Sequence, residues 1–120
     1  MVLRCSGQNF FLECVYKCCE ILRLYFENDA YDYQGGYEDE YVVQTDQLIN
    51  YKEYYVSSNG TSAIWYYNGK WIVGDIFHLG TSVSSLASTN DPTCPEYTQA
   101  WTDSYGDVRD DFYFSCWAWI

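Results

Sequence analysis

The run Ile64-Trp65-Tyr66-Tyr67-Asn68-Gly69-Lys70-Trp71-Ile72-Val73-Gly74 constrains this chain more than any other. Asn-Gly between two aromatic and β-branched segments is the strongest short-range signal for a two-residue β-hairpin, because both turn positions need a positive φ. The turn also fixes parity, since residues opposite one another share a face. Trp65 then sits with Ile72 and Tyr67 with Lys70, while Ile64 sits with Val73 and Tyr66 with Trp71 on the other side. Both faces are apolar, so the ribbon is either covered on both sides or displays an aromatic surface to something else.

Further turn signals at Gly35-Gly36, Asn59-Gly60, Gly80, Asn90-Asp91-Pro92 and Gly106-Asp107 keep the rhythm of short strands joined by tight connections. Strands are expected at Ile21 to Phe26, Tyr41 to Gln44, Tyr51 to Val56, Ala63 to Tyr67, Lys70 to Val73, Ala100 to Asp103 and Asp111 to Ile120, with Ser82 to Thr89 a serine-rich loop. The last strand alternates: Phe112, Phe114, Cys116, Ala118 and Ile120 form a core side, and Tyr113, Trp117 and Trp119 a stripe needing a cover. From Phe10 to Phe26 the pattern is ambiguous. Phe11, Val15, Cys18, Leu22 and Tyr25 keep helical spacing and Glu13 with Lys17 is an i,i+4 pair, yet Cys19 to Phe26 also reads as a buried strand. The chain has 120 residues, enough for one core. The expected fold is all-β, a small antiparallel sandwich or meander barrel over residues 19–120, preceded by a short helical or irregular arm over residues 1–18.

Cys5, Cys14, Cys18, Cys19, Cys94 and Cys116 are an even set in a short chain, which fits a disulfide framework made in an oxidising compartment. Cys19 opens an apolar segment and Cys116 lies in a clean strand, so a bridge between them would close nearly the whole domain. Cys5, Cys14 and Cys18 would then sort out locally, with Cys94 the distant partner of one of them. The adjacent Cys18 and Cys19 are expected to send their sulfurs to opposite faces, into two different bridges. The cysteines lack the paired short spacings and histidine partners of a zinc site. The one N-glycosylation sequon, Asn59-Gly60-Thr61, falls where a surface turn is expected. Met1-Val2-Leu3-Arg4 turns polar too soon for a secretory signal, so a secreted form would have lost its leader.

A net charge of −11 argues against nucleic-acid phosphates and anionic lipid as partners, and no apolar run is long enough to insert in a membrane. The acids cluster at Glu27 to Asp29, Glu38 to Glu40 and Asp107 to Asp111, as solvated loops do. They also offer oxygen ligands for Ca2+, although Asp103 to Asp111 misplaces the glycine of an EF-hand loop; no cofactor is expected otherwise. His78, with Asp75 and the serines after it, lacks the strand-turn-helix nucleophile context, so no catalytic residue and no enzyme is expected. Trp65, Trp71, Tyr113, Trp117 and Trp119 are the candidate surface for a ligand or partner, because rings of this kind stack on sugars and anchor interfaces.

Cys19-Glu20-Ile21, the hairpin ending Trp71-Ile72-Val73-Gly74, Cys94-Pro95, Trp101 and the closing Phe112-Tyr113-Phe114-Ser115-Cys116 are the features that carry a resemblance. From Cys19 to Cys116 the chain resembles short aromatic-rich, disulfide-bonded modules of invertebrate and protist surface or matrix proteins. That resemblance implies a non-catalytic extracellular or cell-surface domain with a structural or adhesive role. Trp117-Ala118-Trp119-Ile120 is an apolar strand suited to pair with another chain's sheet edge, so self-association is expected. The alternative is a carbohydrate-binding, lectin-like module using exposed tryptophans.

Overall fold

A computed structural model describes residues 2–6, 13–26, 37–98, 100–109 and 112–116. Among these residues every regular element is a strand or a single 3-10 turn, and the fold is all-β, antiparallel and disulfide-bonded. Strands β1 (Val2–Ser6) and β2 (Glu13–Lys17) form a separate two-stranded hairpin. The rest belong to one nine-stranded sheet. Its meander runs through β3 (Ile21–Phe26), β4 (Glu40–Ile49), β5 (Lys52–Ser57), β6 (Ser62–Tyr67), β7 (Lys70–Asp75), β8 (Leu86–Ser88), β9 (Trp101–Asp103) and β10 (Val108–Arg109). The last strand, β11 (Phe112–Cys116), returns to pair with β3.

Of the short helical or irregular arm expected over residues 1–18, no helix is seen among the described residues; Val2–Ser6 and Glu13–Lys17 pair as a β-hairpin instead. Its physical reason is the absence of a buried face, since Glu13, Cys14, Val15, Tyr16 and Lys17 are all exposed. A helix there would have nothing to bury. Cys5 instead lies opposite Cys14, and the two are bonded across the hairpin. Glu13 and Lys17 face Ser6 and Val2 across the ladder rather than each other.

The β6–β7 hairpin has the expected register, with Trp65 opposite Ile72 and Tyr66 opposite Trp71 about a turn in which Asn68 and Gly69 both have positive φ. Both faces are covered. On the inner face Ile64, Trp71 and Val73 join Leu22, Leu24, Tyr41, Tyr55, Leu86 and Trp101 in the main core. On the outer face Trp65 and Ile72 lie under Ile76 and Leu79, because the chain after β7 folds back over the sheet. The Trp65 indole N–H donates to the Thr81 carbonyl at 2.9 Å. Gly74 lets this happen: a Cβ there would lie 3.0 Å from Trp65 Cη2.

The sheet curls into a half-barrel. Trp101 in β9 and Phe114 in β11 are seven places apart in strand order, yet their ring centroids are 5.7 Å apart. A flat sheet would separate them by about 34 Å. Tyr41 is satisfied inside the curl: it donates its hydroxyl to the Tyr37 carbonyl at 2.6 Å and also bonds Ser62 Oγ. Burial pushes the Tyr41 phenol far above its ordinary range.

Candidate functional site

Two features of this scaffold are more than packing: a clamp of two adjacent disulfides, and an open groove where the N-terminal hairpin meets the sheet. The clamp begins at Cys18 and Cys19, between β2 and β3. Their sulfurs diverge as expected, Cys18 bonding Cys94 and Cys19 bonding Cys116. One peptide bond thereby ties the hairpin, the loop after β8 and the returning strand β11 together. Glu96 sits between the two bridges, a carboxylate oxygen lying within 4.8 Å of the sulfurs of each. Its Oε2 accepts the Cys19 backbone N–H at 2.7 Å, and its buried Oε1 has no hydrogen-bond partner among the described residues. Tyr55 closes the knot by donating its hydroxyl to the Cys19 carbonyl at 2.6 Å. Desolvation first, and the Glu96 charge second, raise the Tyr55 phenol. With the sulfurs oxidised they are not metal ligands, so the cluster works as a staple. Three disulfides indicate an oxidising, extracellular-type environment.

Arg4 fixes the hairpin to this clamp. Its guanidinium donates to the Cys18 carbonyl and makes a two-pronged contact with Glu53, at 3.0 and 3.1 Å, with Glu20 at 3.7 Å. The Arg4 side chain is 10% exposed, so the pair is largely screened from water and geometrically specific.

Beside it opens a cavity of about 270 Å³, lined by Tyr16, Lys17 and Cys18 of the hairpin and its end, by Leu48, Tyr51, Lys52, Glu53 and Tyr55 of β4, β5 and their turn, and by Trp71 and Thr93. A second groove, sharing Lys17, Leu48 and Glu53, runs along Arg4, Val15 and Val42. Tyr51 is 95% exposed and Tyr16 70%. Tyr51 is held out by a tight β4–β5 turn in which both Asn50 and Tyr51 have positive φ, a strained state for an aromatic residue. The Asn50 amide pins that turn by donating to the carbonyls of Tyr66, at 2.7 Å, and Gly80. Lys52 lies over the Tyr66 ring, 4.6 Å from its centroid, and donates to the Thr93 carbonyl at 3.3 Å.

The tryptophans proposed as a ligand surface fare differently. Trp65 and Trp71 are both buried, so neither is an exposed stacking platform, although Trp71 contributes to the lining of the cavity beside Lys52; the outer cover over Trp65 comes from a loop whose sequence gives no sign of folding back. Tyr113 lies in β11 opposite Tyr25, and Trp117 and Trp119 fall outside the described residues. Asn59 is exposed in the β5–β6 turn, its Oδ1 accepting from Ser57 Oγ, Thr61 N and Thr61 Oγ. His78 is exposed and is not joined to Asp75; instead Ser85 donates to the Tyr37 hydroxyl, which donates to Asp75. At the end of β9, Asp103 accepts the backbone N–H groups of Tyr105 and Asp107 on Oδ1, closing the turn that begins the Asp103 to Asp111 stretch. Glu96, Tyr16 and Tyr51 have no sequence signal beyond residue type.

No protein-family model matches this chain, and neither the curated proteins nor the solved structures contain a match to it. What the fold and the clamp define is the class: an all-β, antiparallel half-barrel stabilised by disulfides.

Proposed function

We propose that this chain is a non-catalytic extracellular or cell-surface module with a structural or adhesive role, acting within a self-associating or multidomain assembly. The observation that carries this reading is where its exposed apolar side chains gather. Val15, Tyr16, Val42, Leu48 and Tyr51 line two adjoining grooves at the hairpin, each at least 39% exposed. Apolar surface gathered in this way, rather than scattered singly, marks interaction sites. The hairpin also offers sheet edges. Strands β1 and β2 pair only with each other among the described residues, whereas β11 packs against the Pro95–Tyr97 turn and β10 has two residues. Exposure of Asn59 suits a glycan on that turn. Sedimentation velocity over a wide concentration range tests this reading. Reversible association, abolished by Val15→Glu with Tyr16→Ser, is expected; a monomer at every concentration contradicts it.

A second reading, a carbohydrate-binding module, is favoured by one observation: Tyr16 and Tyr51, both largely exposed, line the same small cavity. The stacking residues are then these tyrosines rather than Trp65 or Trp71.

A further inference from the structure

We propose that the groove between Tyr16 and Tyr51 binds a sugar residue bearing a carboxylate, such as a uronic or nonulosonic acid at the end of a glycan; this inference rests on the carbohydrate reading. Charge is the first argument. The whole chain has six lysines and arginines against seventeen acids, yet Arg4, Lys17 and Lys52 all lie around the two joined grooves. The acids lining the same grooves are Glu20 and Glu53, and both are drawn onto Arg4. With Lys17 and Lys52 added, the three cations outnumber the two acids, so the lining carries one net positive charge. Lys17 has no ion-pair partner among the described residues, whereas Lys52 lies over the Tyr66 and Trp71 rings and uses one of its three donors on the Thr93 carbonyl, so Lys17 is the cation best placed to meet a carboxylate. On a surface of net charge −11 this is a local reversal of sign, where an anionic group is held and a cationic one is not.

Size and shape supply the rest. A cavity of about 270 Å³ lies at the small end of ligand sites, suited to one ring rather than a folded segment. Its mouth carries two tyrosines whose ring faces stack on the C–H face of a pyranose while their hydroxyls reach its polar rim. The strained Asn50–Tyr51 turn, pinned by the Asn50 amide, fixes the Tyr51 backbone before binding, so only the Tyr51 side chain is left to order when a ligand arrives.

The test is amide NMR of the oxidised full chain titrated with N-acetylneuraminic acid, glucuronic acid and glucose. Both acids are expected to shift the amides of Tyr16 to Cys18 and Tyr51 to Glu53, with glucose binding several-fold more weakly. Lys17→Ala should weaken the acids about fivefold, leaving glucose unchanged, and Lys17→Arg should restore them. Tyr51→Ala should weaken acids and glucose alike by about tenfold. Both positions are exposed, and an unchanged amide spectrum elsewhere confirms that each variant folds. Equal binding of glucose and the acids, with Lys17→Ala silent, overturns the acidic-sugar assignment but keeps the carbohydrate reading. No shift with any of the three at about 50 mM overturns both.

Discussion

Replacing the Cys19–Cys116 pair by alanine should destabilise the protein by less than the length of the loop suggests, because of its neighbour. Their sequence separation is 97 residues. A loop of that size, closed alone, constrains the unfolded chain by about 4.7 kcal/mol. Cys18, however, is already tied to Cys94. With that bond in place the second bridge closes only the ring from Cys19 through Cys18 to Cys94 and on to Cys116, about 25 residues, worth about 3.5 kcal/mol. The argument is symmetrical, so removing Cys18–Cys94 alone should also cost about 3.5 kcal/mol, and removing both about 8 kcal/mol. The double loss thus exceeds the sum of the single losses by about 1 kcal/mol, before the packing lost with the sulfurs. Each single removal should lower Tm by about 14 °C, read by calorimetry and by urea unfolding. Single losses below about 1.5 kcal/mol, or a double loss smaller than their sum, would refute the shared-ring argument.

Three further outcomes follow from other parts of the molecule. Glu96→Gln should speed reduction of the Cys18–Cys94 and Cys19–Cys116 bridges by dithiothreitol about fourfold, since a charge within 4.8 Å of those sulfurs repels the attacking thiolate even at a water-like dielectric; an unchanged rate would show that the carboxylate is electrostatically silent. Gly74→Ala should cost about 1–3 kcal/mol in urea unfolding, because its methyl meets the buried Trp65 ring at 3.0 Å, and a neutral change would mean that the outer cover is not packed. Alkali should unfold the protein: the Tyr41 and Tyr55 phenols are raised in the folded state, chiefly by burial, so their contribution is whole below about pH 10 and is lost as pH climbs toward their folded values. Phenolate absorbance and near-UV circular dichroism should change together for these two groups; full ionisation of the tyrosines with the fold intact would contradict it.

How far the sequence predicts this structure depends on the range of each interaction. The β6–β7 register was legible because Asn68-Gly69 is a local turn whose geometry sets parity without tertiary help. Cys19 and Cys116 were legible for a different reason, since Cys19 opens an apolar segment just before β3 and Cys116 ends β11, and both belong with the core. The β4–β5 turn was not. Tyr51 adopts a positive φ that its residue type disfavours, and only tertiary bonds from Asn50 hold it there. The strand Leu86–Ser88 hid in a serine-rich stretch because Ser88 faces the core as a hydrogen-bonding partner, accepting the Trp71 N–H at 2.9 Å. The candidate site was misplaced by the same mechanism: aromatic content gives no sign of which rings a returning loop covers. Trp65 and Trp71 are covered, and Tyr16 and Tyr51 are not.

The central claim is that adjacent cysteines staple the two ends of a curled antiparallel sheet. Tandem mass spectrometry of the unreduced, digested protein tests it directly. Fragments joined as Cys5–Cys14, Cys18–Cys94 and Cys19–Cys116 are expected, with no free thiol. Free thiols in native material, or a bridge joining Cys18 to Cys116, would contradict it.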